Sequence, residues 1–138
     1  MIVCMVANLP DQPHEGNFTL KLHPEWAPRG AKRLTELFDA QFFNDARFFR
    51  VIDGFMAQFG IAGDPSVMRT WRDRTIKDDA KMPGVGNKRG RLSFAKSSMP
   101  NSRSTQLFIN YRNNDQLDGM GFTPVAEVVK GMDVIDRI

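Results

Sequence analysis

Residues 48–58 read Phe48-Phe49-Arg50-Val51-Ile52-Asp53-Gly54-Phe55-Met56-Ala57-Gln58. From Arg47 to Ile52 large apolar residues stand at both parities, the pattern of a strand covered on both faces. The same string sets one arginine beside a cluster of Phe, Met and Gln. Upstream, Phe18, Leu20 and Leu22 alternate with Thr19 and Lys21, which predicts a half-buried strand over 17–22. After Pro24 and Pro28 the period changes. Ala31, Leu34, Leu37 and Phe38 recur at helical spacing, with Lys32, Arg33, Glu36 and Asp39 opposite. Before all of these, a short apolar stretch at the N-terminus suits an edge strand, and residues 8–16 are dense in turn-formers.

Downstream, 60–90 carries Gly, Pro and charge with little periodicity and reads as long loops, a length uncommon unless functional. Short strands are predicted at Leu92–Ala95, Gln106–Asn110 and Pro124–Val129, parted by polar turns, and a helix barely starts after Met132. One early helix, many short strands and long loops point to a closed or nearly closed antiparallel barrel rather than a βαβ fold.

Composition agrees with one globular domain. The chain has 138 residues, and Leu, Ile, Val and Phe make up about a quarter of them, above the level typical of disordered chains. The longest apolar run, Met1–Ala7, is far short of the roughly 20 residues a spanning helix needs. It also lacks the basic flank and small-residue cleavage pattern of a signal peptide, so a cytoplasmic chain without membrane contact is expected. A lone Cys4 rules out an internal disulfide and a cysteine zinc cage. Residues 69–103 hold ten basic side chains against three acids, within a chain whose formal net charge is only +3. Such a segment can steer acidic partners or nucleic acid, or can simply be a solvated loop, the reading preferred for a single charged segment. The aromatic-basic interleaving of RNA modules is missing, so direct nucleic-acid binding is not expected.

Several familiar strings do not hold up. Ser93-Phe94-Ala95-Lys96 fits S-x-x-K but lies in a strand-like stretch without S-D-N or K-T-G partners. Gly84-Val85-Gly86-Asn87-Lys88-Arg89-Gly90 is one residue off the dinucleotide fingerprint and precedes a strand instead of opening a helix. His14 and His23 have no third ligand, so they read as surface or packing residues, and no metal or cofactor is expected. The Asn17-Phe18-Thr19 sequon matters only in a secreted chain. No nucleophile, base and orienting acid can be assembled from spacing, so any chemistry here needs no covalent intermediate.

One constellation remains. It comprises the 48–58 string, Leu92-Ser93-Phe94-Ala95 with Gln106-Leu107-Phe108-Ile109, and Leu117-Asp118-Gly119 with Val128-Val129-Lys130-Gly131-Met132-Asp133-Val134-Ile135. Singly these residues are unremarkable: most Phe are core, and Arg50 has Asp53 and Asp45 as ready ion-pair partners. Jointly, in this order, they resemble the cyclophilins, the cyclosporin-binding peptidyl-prolyl cis/trans isomerases. The resemblance runs over 16–138, leaving 1–15 as a variable N-terminal segment. It implies a mainly β fold, an eight-stranded antiparallel barrel with capping helices and a groove on its outer face. It also implies a further C-terminal helix and closing strand beyond Ile138, without which the barrel would stay open and less stable.

By this resemblance Arg50 is the catalytic residue. Phe55, Met56, Phe108 and Leu117 line a proline pocket, Gln58 hydrogen-bonds the substrate backbone, and Gln106 is another substrate-binding residue of the groove. The backbone of Ala95 and Lys96 holds the residue before proline. Lys96 stands where the family usually has Asn. Phe122 replaces a pocket histidine, given a one-residue insertion around Met120-Gly121, and Gln116 replaces the tryptophan that contacts cyclosporin. The implied partners are proline-containing peptides and proteins, with cyclosporin binding weakened at Gln116. The implied function is rotation about X-Pro bonds, assisting folding. A non-catalytic proline-peptide-binding or scaffold module of the same fold, within a nucleic-acid assembly, is the alternative.

Overall fold

A computed structural model describes all 138 residues. Its elements run β1 (Ile2–Val6), β2 (Gly16–Leu22), α1 (Pro28–Asp39), β3 (Arg50–Ile52), β4 (Met56–Phe59), α2 (Pro65–Trp71), β5 (Arg91–Phe94), β6 (Leu107–Asn110), β7 (Pro124–Lys130) and α3 (Met132–Asp136), with a 3-10 turn at Asp115–Met120 before β7. The seven strands form one antiparallel sheet in the order β1-β2-β7-β5-β6-β4-β3. The mainly β, antiparallel architecture is as expected, but there are seven strands rather than eight. The sheet is also open: β1 pairs only with β2, and β3 only with β4, so no ladder joins the two ends.

Alternation of side chains along the strands divides the sheet into two faces. One face contributes Phe18, Leu20, Phe59, Leu92, Phe94, Leu107, Ile109 and Val125 to the main core, over which α1 lays Ala31 and Leu34. Pro28 opens α1, and its next two amides are capped from far away in sequence: Arg29 and Gly30 N–H donate to the two oxygens of Asp79, each at 2.9 Å. Asp79 also pairs with Arg103 at 3.0 Å, with side-chain exposures of only 1% and 5%. Arg103 donates further to the Lys77 carbonyl at 2.6 Å.

Three expectations need correction. β3 is not covered on both faces; Arg50, Val51 and Ile52 are all exposed, because β3 is an edge strand. The bulk before it is used instead by Phe48, whose ring packs 5.2 Å from that of Phe59. The 60–90 region is not all loop: α2 forms behind the Asp64 cap, which accepts from Ser66 N–H at 2.8 Å, with Pro65 in its first turn. The Ser66 hydroxyl, which also donates to Asp64 Oδ1 at 2.8 Å, and then that N–H hold the Asp64 carboxyl below its ordinary range. Val67, Met68 and Trp71 of α2 seat on Leu37, Phe42 and Ala62. The basic 69–103 segment is also strapped down rather than merely solvated, through Arg103–Asp79, Lys88–Asp115 and Arg89–Asp136.

The two histidines serve packing and the surface. His14 bonds the Leu9 carbonyl, while His23 stacks on Trp26 at 3.6 Å and contacts Glu25 and Glu127. Burial pushes the Cys4 thiol up to about 11, so it is protonated at neutral pH.

Asp79 both caps a helix and neutralises a buried guanidinium. Removing one partner of a buried pair leaves an uncompensated charge, so Asp79→Ala should lower stability by about 3–5 kcal/mol. Urea unfolding checks this; an unchanged midpoint would show that the pair does not hold the 76–103 segment to α1.

Candidate active site

The other face of β4, β5 and β6 carries the candidate residues. The register sets Arg50 opposite Gln58, Gln58 opposite Phe108, and Phe108 opposite Ser93, a row running across four strands. Directly paired residues point to one side of a sheet, so this row faces away from the main core. Met56, two residues before Gln58, shares that side, as does Asn110, its partner on β6.

Met56, Phe108 and Leu117 form a small buried cluster, with Phe55, Ala95 and Phe122 packed against it. Phe122 meets Phe108 edge-on, ring centroids 5.5 Å apart and planes at 82°. Beside this apolar patch lies a polar row: Arg50 Nη1 donates to Gln58 Oε1 at 3.5 Å, and Gln58 Nε2 donates to Gln106 Oε1 at 3.0 Å. The first contact is loose, which leaves guanidinium donors available. Arg50 is exposed and forms no ion pair, so neither Asp45 nor Asp53 holds it. Gly60, at φ +117°, lets the chain leaving β4 run against Thr105 and Gln106; a Cβ there would collide with the Thr105 carbonyl. That close approach brings Gln106 to Gln58. Lys96 places its ammonium 5.0 Å from the Phe122 ring centroid.

What fixes the pocket wall is a network that sequence reading missed. Asn87 is fully buried, and its N–H and Nδ2 both donate to Asp118 Oδ1 at 2.8 Å. Nδ2 donates to the Phe122 carbonyl at 2.9 Å as well, and the Ser93 hydroxyl donates to Asn87 Oδ1 at 2.6 Å. Asn114 N–H bonds the Asn87 carbonyl at 2.8 Å, and Asn114 Nδ2 reaches the Phe55 carbonyl at 2.9 Å. The Asn87 side chain thus ties β5 to Asp118 within the 3-10 turn that carries Leu117 and to Phe122 just after it, while the Asn87 backbone carbonyl holds Asn114 just before it. Asn87 lay within the glycine-containing string set aside as a failed nucleotide fingerprint. Its only sequence signal was a polar residue amid glycines just before an apolar strand.

The sequence profile of the family described as "Cyclophilin type peptidyl-prolyl cis-trans isomerase/CLD" matches residues 9–138. The chain belongs to the cyclophilin family. Peptidyl-prolyl cis-trans isomerase B of Escherichia coli is 36% identical over 132 residues, covering 91% of this chain and 79% of that protein. A peptidyl-prolyl cis-trans isomerase of Acinetobacter baylyi is 35% identical over 127 residues, covering 89% of this chain and 66% of its own length. Among solved structures, a Cryptosporidium parvum cyclophilin-type isomerase determined in the presence of the dipeptide Ala-Pro superposes with TM-score 0.73 at 25% identity, covering 88% of this chain and 77% of that one. A cyclophilin from Hirschia baltica shares the fold at TM-score 0.73 and 16% identity, over 96% of this chain and 65% of that one. This cyclophilin is an enzyme, a peptidyl-prolyl cis/trans isomerase, and the non-catalytic alternative is not favoured. No helix is long and apolar enough to cross a membrane.

The positioning role of Asn87 has a direct check. Asn87→Ala strands the Ser93 hydroxyl and the Phe122 carbonyl and leaves Asp118 Oδ1 only the backbone N–H of residue 87, and should cost about 3 kcal/mol. Denaturant midpoints report the loss, and the KM for a proline peptide should rise with it because the pocket wall loses its anchor. A variant with the midpoint and KM of the parent would show that the wall is fixed by packing alone.

Proposed function

We propose that Arg50 is the catalytic residue and that the Met56–Phe108–Leu117 cluster, with Phe55 and Phe122, receives the proline ring. The amide barrier of about 18–20 kcal/mol arises from resonance between the nitrogen lone pair and the carbonyl. Rotation needs no proton transfer, only stabilisation of the twisted amide. Once conjugation breaks, the imide nitrogen has a free lone pair that can accept a hydrogen bond. A guanidinium, always charged and rich in donors, suits that acceptor. Because the lone pair exists only in the twisted state, the bond favours the transition state over either ground state.

The observation that carries this reading is Arg50 itself, which is free of carboxylates, loosely held by Gln58 and set at the rim of an apolar pocket. Gln58 and Gln106, already bonded to each other, offer amide groups to the peptide on one side of the proline. The backbone of Ala95 and Lys96 holds the residue before it. One segment stays fixed while the other rotates. The substrates are proline-containing segments of peptides and proteins, whose rotation assists folding. The Ala-Pro dipeptide named for the Cryptosporidium structure fits a site of this kind.

Two measurements test the assignment. Arg50→Ala should cut kcat/KM for a proline tetrapeptide by about 10²–10³, as loss of a preorganised transition-state donor does. Binding of the same peptide should change only a few-fold. Near-parental turnover by this variant would refute the mechanism.

Cyclosporin binding tests the pocket's other border. Gln116 is exposed beside Leu117 and offers no indole face or N–H donor. Gln116→Trp should therefore tighten cyclosporin binding by calorimetry, and no gain would mean that residue 116 does not border the ligand.

A further inference from the structure

Lys96 follows β5 at the edge of the pocket, with its ammonium 5.0 Å from the ring centroid of Phe122. Its stem lies over Gly121: a Cβ at 121 would sit 3.4 Å from Lys96 Cε and 3.6 Å from Nζ. Gly121 has φ +84°, so glycine there serves the backbone as well as leaving room for the stem. The charge is thereby held against the pocket wall by its stem and by the aromatic face.

No carboxylate neutralises it. Lys88 is paired with Asp115, Arg89 with Asp136 and Arg103 with Asp79, whereas Lys96 forms no ion pair. Asp118 lies near the same wall, yet its Oδ1 accepts both Asn87 donors and it makes no ion pair with Lys96. Arg50 at the opposite border is likewise unpaired, so the groove presents two cations to a peptide that enters it. A proline ring in the pocket sets the Cα of the preceding residue about 3.8 Å from the proline Cα. That residue's side chain is then within reach of a cation fixed on Phe122.

We infer that Lys96 is a specificity-determining residue and that the enzyme favours substrates with a carboxylate side chain immediately before proline. The inference rests on the placement of the proline ring and of the Ala95–Lys96 backbone proposed above. An ion pair at a partly exposed rim gives a modest preference, about two- to fivefold, which weakens as salt is raised.

The test uses three tetrapeptides that differ only before proline, carrying Glu, Gln or Lys, with kcat/KM measured at low and high ionic strength. The parent enzyme should rank them Glu over Gln over Lys, with the spread narrowing in high salt. Lys96→Glu should invert the order, and Lys96→Gln should flatten it. These are ratios within one preparation, so they do not depend on how much of a variant is folded. Equal rates for all three peptides in the parent overturn the inference and leave the isomerase reading intact. A Glu preference that persists in Lys96→Glu also overturns it, assigning the selectivity to Arg50. No turnover of any peptide overturns both readings.

Discussion

Strands β4, β5 and β6 are packed on both faces, and the rest of the molecule is arranged to meet that constraint. Phe59, Leu92, Phe94, Leu107 and Ile109 face the main core, which α1 covers. The alternate residues Met56 and Phe108 face outward yet are only 3% and 6% exposed. A second cover must therefore exist, and it is made by the chain between β6 and β7, which sets Leu117 and Phe122 over them. Beside this covered cluster, where the proline ring is proposed to seat, Arg50 stands on the exposed edge strand.

Covering a sheet face with loop also buries backbone and side-chain polar groups, each costly if left without a partner. Ser93, Asn110 and Asn114 are all fully buried. Asn87 answers all three directly, its Oδ1 accepting from the Ser93 hydroxyl and, at 3.5 Å, from Asn110 Nδ2, and its carbonyl from the Asn114 backbone N–H, and it binds the Phe122 carbonyl as well. An amide is suited to this junction because it offers donor and acceptor from one rigid plane. The apolar cluster thus stands on a polar footing: the turn that covers Met56 and Phe108 is held by hydrogen bonds behind it. Asp79 plays the same part on the far side, where it joins the α1 amides to Arg103.

What the sequence disclosed follows from how local each signal is. β2, α1, β6 and β7 declare themselves by period, since each buries one face or is a short apolar run between turns. β4 does not: Gln58 interrupts the apolar residues of Met56–Phe59, all four of them buried, so neither alternation nor an unbroken apolar run marks a strand. β3 misled in the opposite sense, because Phe48 and Phe49 lend their bulk to a strand that is itself exposed. α2 carried a readable start in Asp64-Pro65-Ser66, lost among the neighbouring charges. The candidate site residues were named by joint resemblance, while Asn87 and Asp79 were not named at all. Their partners lie up to 35 and 50 residues away, and nothing local distinguishes an asparagine that organises a pocket from one that caps a turn.

The placement of Arg50 on an edge strand also bears on how the barrier is lowered. A guanidinium buried in the pocket would need a carboxylate to offset its desolvation, and that carboxylate would compete with the substrate for its donors. On β3 the charge stays solvated and needs only the carbonyl oxygen of Gln58 to orient it. In the proposed mechanism, water around it is displaced when a peptide fills the apolar cluster, so the guanidinium's field strengthens as the proline ring enters. The Gln58 contact, at 3.5 Å, is weak enough to yield to a better acceptor. A planar amide nitrogen is not such an acceptor, whereas a pyramidal one is. Exposure of the cation and enclosure of the ring are therefore complementary requirements, and the open edge of the sheet satisfies both.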